Sequence, residues 1–213
     1  MASNPVKLVI QATDTDGICA SQSPAAAGNL LINGALTSGG VATLSAAHIL
    51  TITTASNDVG KTWTITGKNA DGITRVETVA GVNATSVNTV GYFKEVSQIT
   101  LTGGGATTVV VGHTSTNGCV SEAIKLAPPR NGKKVSWQVN IPTGATATYT
   151  VQHTLMDQFN QSSSSTAVFN SNSAYTGLTA NSDGYYLSPI RFIRLQSTAI
   201  SLSIEMHVYE TEE

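Results

Sequence analysis

An all-β protein, two β-sandwich or jelly-roll-like domains in tandem, is the architecture that three features of this 213-residue sequence predict. Apolar residues recur mostly at every second position, the period of a strand with one buried face. Thr, Val and Ile dominate those runs, as a pleated, half-buried surface favours. Turn signals separate them: "SGG", "NADG", "GGG", "PTG" and "NSDG".

Taken in order, "KLVIQA" opens the chain, with Val6, Leu8 and Ile10 alternating along an N-terminal arm. Such a segment either pairs with a partner's strand edge or forms an ordinary first strand of the first domain. "DTDGICASQ" (14–22) has a calcium loop's first acids but lacks its further spaced acids and closing Glu, so it reads as a turn. "GNLLING", "HILTITTA", "KTWTITG", "ITRVETVA", "SQITLTG" and "TTVVVGH" supply the further strands of the first half. In "KTWTITG" Trp63 and Ile65 share one face and Thr62, Thr64 and Thr66 the other, which predicts a buried aromatic anchor beneath a hydroxyl-bearing exterior. After the Asn-Ala-Asp-Gly turn, where Asp71 is a turn former, the parity falters: Ile73 and Val79 lie on one face and Val76 on the other. A bulge near Arg75, or partial covering of both faces, reconciles the pattern.

"LAPPRNGKK" (126–134) marks the predicted boundary, because Pro128 and Pro129 interrupt pairing, giving domains at 1–127 and 128–213. The second domain carries "KVSWQVNI", "ATYTVQHTL", "IRFIRLQS" and "ISLSIEMHVYE" as strands, and the Ser-rich "NQSSSSTAVFNSNSAYTG" as a long loop.

Charged residues make up only 11% of the chain and the net charge is −2, a balance that argues against nucleic-acid or acidic-membrane binding. No run approaches the roughly 18 apolar residues of a membrane span, and the first residues lack a basic-then-apolar leader, so synthesis in a cytosol is expected. Cys19 and Cys119 stand 100 positions apart, outside any CxxC pattern, and read as unpaired thiols. His48, His113, His153 and His207 are scattered singly, without HxxxH or HExxH spacing. His153 and His207 approach one another only if their strands pair. "LTGGGATTVVVG" has neither the GxGxxG nor the P-loop spacing, no GxSxG elbow occurs, and carboxylates are too sparse to form an acid–base pair. Asn83-Ala84-Thr85 reads as a chance glycosylation match. The sequence thus predicts a non-enzyme with no catalytic residues, metal or cofactor.

Low charge and many small hydroxyl side chains suit extended contact with other proteins, since few ions need desolvating, and they suit sugar binding as well. Tyr175, Tyr185 and Tyr186 in "AYTGLTANSDGYYLSP" either contact a partner or cap the end of the sandwich.

The run from "AAGNLLING" to "SQITLTGG" (26–104), with "ATYTVQHTL" and "GLTANSDGYYLSPIRFIRLQSTAISLSIEMHV", resembles two-part β-structured virion proteins of tailed bacteriophages. The resemblance covers most of the chain and rests on strand-and-turn patterns. It implies assembly into a phage particle rather than catalysis. The expected partners are the major capsid protein or other virion proteins, together with further copies of the chain as a homo-oligomer. Capsid decoration leads, with a neck, collar or tail part as the alternative from the same particle and a receptor- or glycan-binding module as a different class. The Ser-rich insertion and the acidic "YETEE" end depart from the family pattern.

Overall fold

A computed structural model of the chain describes residues 6–9, 12–104, 106, 108–127, 134–157, 168–187, 189–201 and 203–211. Strand accounts for 62% of the chain, and among the described residues the only helical turns are short 3-10 segments at Ser115–Asn117 and Ser173–Tyr175. The all-β expectation is correct at that level. Two compact units form: Gln11–Asn117, and a second that joins Gly118–Glu213 to Met1–Ile10. They are called the central and the terminal unit.

In the central unit two long strands, β5 (Val41–Thr54) and β8 (Ser86–Thr102), pair antiparallel. β6 (Thr62–Lys68) lies between β8 and β7 (Thr74–Ala80), and β3 (Gly28–Asn29) pairs with the last residues of β8. β9 (Val109–His113) pairs with the end of β5, and β2 (Asp14–Gln22) with β9. The short β4 (Thr37–Ser38) reaches β5 through Gly39 and Gly40, at φ +59° and +78°. Two successive positive φ values match the twist of a two-residue hairpin, which is why glycines stand there.

The β6–turn–β7 segment behaves as its pattern predicts. Trp63 and Ile65 are fully buried, packed in one core with Phe93, Ile99 and Leu101, while Thr62, Thr64 and Thr66 alternate outward. At the turn the Asn69 side-chain oxygen accepts from the amides of Asp71 and Ile73, both at 3.0 Å. The parity of β7 has a different cause from a bulge at Arg75. β6 and β7 pair without a shift over seven residues, and the irregularity sits on the other side of β6, between Thr66 and Gly67 opposite β8. Arg75 and Glu77 lie in the row of Val79, opposite Gly67 and Ile65, as a half-buried ion pair at 3.1 Å. The Glu77 carboxylate also accepts from the amides of Val90 and Gly91. A Cβ on Gly91 would stand 1.8 Å from the Arg75 guanidinium, so the glycine leaves the guanidinium its place beside Glu77. Partial covering of both faces is therefore the correct account of β7.

"DTDGICASQ", read from sequence as a turn, is strand β2: Ile18 and Cys19 are fully buried and pair toward β9 across two register shifts. The Asp-Thr-Asp-Gly start gives the segment its turn-like look, and at Gly17 the missing side chain leaves room for the Asp14 carboxylate, which a Cβ would meet at 2.4 Å.

The terminal unit takes strands from both chain ends. One sheet runs β1 (Val6–Val9), β17 (Ser203–Thr211), β12 (Lys134–Asn140), β15 (Ser182–Tyr186). In the other set β13 (Ala147–Thr154) pairs with β16 (Phe192–Ile200). β14 (Asn170–Ser171) joins β13, and β10 (Cys119–Val120) and β11 (Ile124–Lys125) join β16. Each set buries alternate residues, Trp137 and Met206 in the first, Tyr149 and Leu195 in the second. The His153 and Tyr186 rings meet between them at 4.7 Å. The division between units thus falls at Asn117/Gly118, ahead of the Pro128–Pro129 tract, which lies outside the described residues. β10 and β11 precede that tract yet pair with β16, which carries them into the terminal unit.

Candidate interaction surfaces

Two solvent-facing sheet surfaces follow directly from register. In the central unit Thr78, Thr64 and Thr100 form one row across β7, β6 and β8, and Asn29 of β3 ends it. Ala80, Thr62 and Thr102 form the row on one side, and Val76, Thr66 and Gln98 the row on the other. None of these side chains is charged. The next row holds Lys68 and Glu95, which neutralise one another at 2.7 Å. Asn29 Oδ1 accepts from Thr100 and Gln98 at 2.8 and 2.9 Å, so part of this surface is already hydrogen-bonded to itself.

In the terminal unit the outer face of the four-stranded sheet carries Tyr185, Ser136 and Tyr209 in one row, with Asp183, Gln138 and His207 in the next. Tyr185 is 49% exposed and Tyr209 37%. The Lys134 ammonium lies 4.2 Å from the Tyr185 ring centroid, close enough to hold that ring in place by cation–π attraction.

The structure separates the three tyrosines singled out from sequence. Tyr185 faces outward, whereas Tyr186 is buried and Tyr175 packs edge-on between Trp137 (4.8 Å) and Tyr186 (5.4 Å). The Tyr175 hydroxyl donates to the Tyr185 carbonyl at 2.9 Å. Gly184 makes this stack possible, since a Cβ there would stand 2.5 Å from Trp137 and 2.9 Å from Tyr175. Burial pushes the Tyr186 hydroxyl well above the usual tyrosine value, and Tyr175 adds to the effect. Tyr209 was missed because it sits in a strand, where only register reveals that it stands two strands from Tyr185. Of the N-terminal arm, Val6 and Leu8 pair with Met206 and Ile204 of β17, and Leu8 is fully buried, so these residues form a strand of the terminal unit. Ile10 lies outside the described residues.

The titratable groups are arranged otherwise than the sequence suggests. His153 and His207 stand on strands that do not pair: β13 joins β14 and β16, while β17 joins β1 and β12. The histidines that meet are His48 on β5 and His113 on β9, with ring centroids 4.3 Å apart, both fully buried. None of their four ring nitrogens has a hydrogen-bond partner. Burial lowers the His48 pKa to about 3, helped by His113 and then Lys94; burial also lowers that of His113, against an opposing pull from Asp14. Both imidazoles are therefore neutral near pH 7. Cys19 and Cys119 are free and fully buried, and burial pushes each thiol up to about 12, too high for a reactive thiolate.

Among the described residues no three His, Cys, Asp or Glu side chains converge as metal ligands, and no helix is long and apolar enough to cross a membrane. A cleft of about 330 Å³ opens in the terminal unit beside His153, Tyr186, Met156, Val168 and Ile190. Comparison of the chain with protein-family models, curated proteins and solved structures finds no match in any of the three.

Proposed function

We propose that this chain is a structural protein of a bacteriophage particle, a capsid decoration protein whose sandwich-like units bind across neighbouring major capsid subunits and oppose their separation. The observation that carries this reading is the uncharged threonine face of β7, β6, β8 and β3, three rows deep and without an ion. Such a surface meets a partner without stripping water from charges, a cost of several kcal/mol per ion. A protein that binds only the assembled shell stabilises it by mass action, by about 2.7 kcal/mol per site at a hundredfold excess over Kd. Repetition over a lattice multiplies the effect, and oligomerisation of the chain adds avidity. The two-layer burial in the terminal unit, with His153 against Tyr186 between the layers, supports the sandwich reading of that unit. No nucleic-acid, membrane or cofactor role is part of this proposal.

The test is to quantify the protein in purified particles and image its position. Decoration requires copies on the order of hundreds spread over the shell, as a closed symmetric lattice repeats its binding sites, and release or rupture of heads when the protein is deleted. About a dozen copies at one vertex assign it instead to the neck, collar or tail. Thr64→Lys, at the centre of the threonine face, is expected to abolish shell binding while the free protein stays folded. Undiminished binding by that variant removes the face from the proposal.

A further inference from the structure

We infer that the outer face of the terminal unit's four-stranded sheet is a binding platform for a neutral pyranose oligosaccharide, built on Tyr185 and Tyr209. Register places these two residues opposite the same residue, Ser136, on the strand between them. Two strand spacings of about 4.8 Å separate their positions, roughly the span of a disaccharide. Pyranose rings present C–H bonds to aromatic faces, whose quadrupole is negative above the ring, so two tyrosines at this separation can each receive one sugar. The row beside them supplies donors and acceptors for hydroxyl groups: Gln138 in the middle, Asp183 on one side and His207 on the other.

Charge selects the class of occupant. Lys7 stands directly opposite Glu205, and Lys134 and Asp183 complete the charged side chains of the face on β1, β12 and β15, so positive and negative groups balance and complement a neutral chain. Little aliphatic surface adjoins the two tyrosine rings, which leaves the rings and the polar row as the contact groups of this face. Leu187, 70% exposed just past β15, and Val9, 36% exposed on β1 at the far side of the sheet, are the large aliphatic side chains on offer, and they do not adjoin. Lys134 lies over the Tyr185 ring, which fixes the ring before binding, while Tyr185 as a whole remains 49% exposed to receive a sugar.

The experiment is an array of neutral hexose and N-acetylhexosamine oligosaccharides, three units or longer, probed with the full chain and followed by titration of the strongest ligand. Tyr185→Ala and Tyr209→Ala are each expected to weaken binding by about 2- to 12-fold, the equivalent of about 0.5–1.5 kcal/mol per aromatic contact. The double variant is expected to lose both contributions. Tyr185→Phe with Tyr209→Phe should retain most of the affinity, because stacking uses the ring and not the hydroxyl. Val90→Ser, on the central unit, should leave binding unchanged. A blank array, or a double alanine variant that binds as well as the parent, overturns the inference, as does loss of binding in the double phenylalanine variant equal to that in the alanine one. If the array is blank and the double alanine variant dissociates an oligomer in sedimentation velocity, the face joins copies of the chain and the inference fails. None of these outcomes bears on the threonine face of the central unit.

Discussion

The central and terminal units solve the same packing problem from different stretches of chain. The central unit is one continuous segment, Gln11–Asn117, built on two long neighbouring strands with β6 and β7 joined by a tight turn. The terminal unit draws β1 from one chain end and β17 from the other and pairs them over almost the whole sequence. The central unit turns a hydroxyl surface outward and hides two unpartnered imidazoles; the terminal unit turns Tyr185 and Tyr209 outward and packs Tyr175 edge-on against Tyr186. A continuous unit can thus be recognised from local pattern, whereas a unit closed by its two ends is defined by contacts that no local pattern contains.

The largest effects should come from the two buried tryptophans. Trp63→Ala and Trp137→Ala each remove a fully buried indole from one unit, at a cost of about 3–5 kcal/mol. Hydrogen exchange read by mass spectrometry should show Trp63→Ala deprotecting peptides within 11–117 and Trp137→Ala deprotecting those within 118–213. Equal deprotection of both regions by either variant would mean that the units unfold as one. Leu8→Ala comes next, at about 2–3 kcal/mol for a buried leucine. Its loss of protection should appear in the strand formed by 203–211 and spare the central unit, because Leu8 pairs with Ile204. An N-terminal arm reserved for a partner would instead leave the free chain's stability unchanged.

The smallest of the three effects is a pH dependence that is strongest in the central unit. His48 is held at about 3 in the fold against a usual 6.5, so the unfolded chain takes up a proton first as the pH falls. The stability is fully present above pH 6.5 and is lost progressively down to pH 3. At pH 5 the loss amounts to about 2 kcal/mol from His48 alone. Lys94 opposes protonation of His48 and Asp14 favours that of His113, so His113 is the more readily charged of the two. Denaturant titrations at pH 8 and pH 5 should show this difference for the parent, and a reduced one for His48→Leu. The terminal unit should respond less: His153 is shifted in the same direction by burial but stays partly exposed.

Much of the architecture was legible because the chain obeys the two-residue period where Thr, Val and Ile are dense. β7, β9, β12 and β13 lie within runs so identified, and β6 and β17 extend one residue past theirs. The front of β5, "VATLSAA", and the start of β8, "SVNTVGYF", fall outside the runs that the period picks out, because alanine, glycine and asparagine carry little β preference and their pairing comes from neighbours. β2 was hidden for the same reason, its Asp-Thr-Asp-Gly start having turn composition inside a paired strand. In the candidate surfaces Thr62, Thr64 and Thr66 were readable as an exterior face from one strand alone. Their continuation through Thr78, Thr100 and Asn29 needed the register of three further strands.

Local alternation and turn chemistry were enough to establish extended strands, their buried anchors at Trp63 and Ile65, and the hairpin at Asn69–Gly72, since each depends on residues a few positions apart. The three-dimensional arrangement chose which strands became neighbours. It brought His48 to His113 rather than His153 to His207, set Tyr209 beside Tyr185 while burying Tyr186, and moved the unit boundary ahead of the proline tract. Those choices rest on hydrogen bonds and packing between distant segments, whose energies depend on which partner each strand finds.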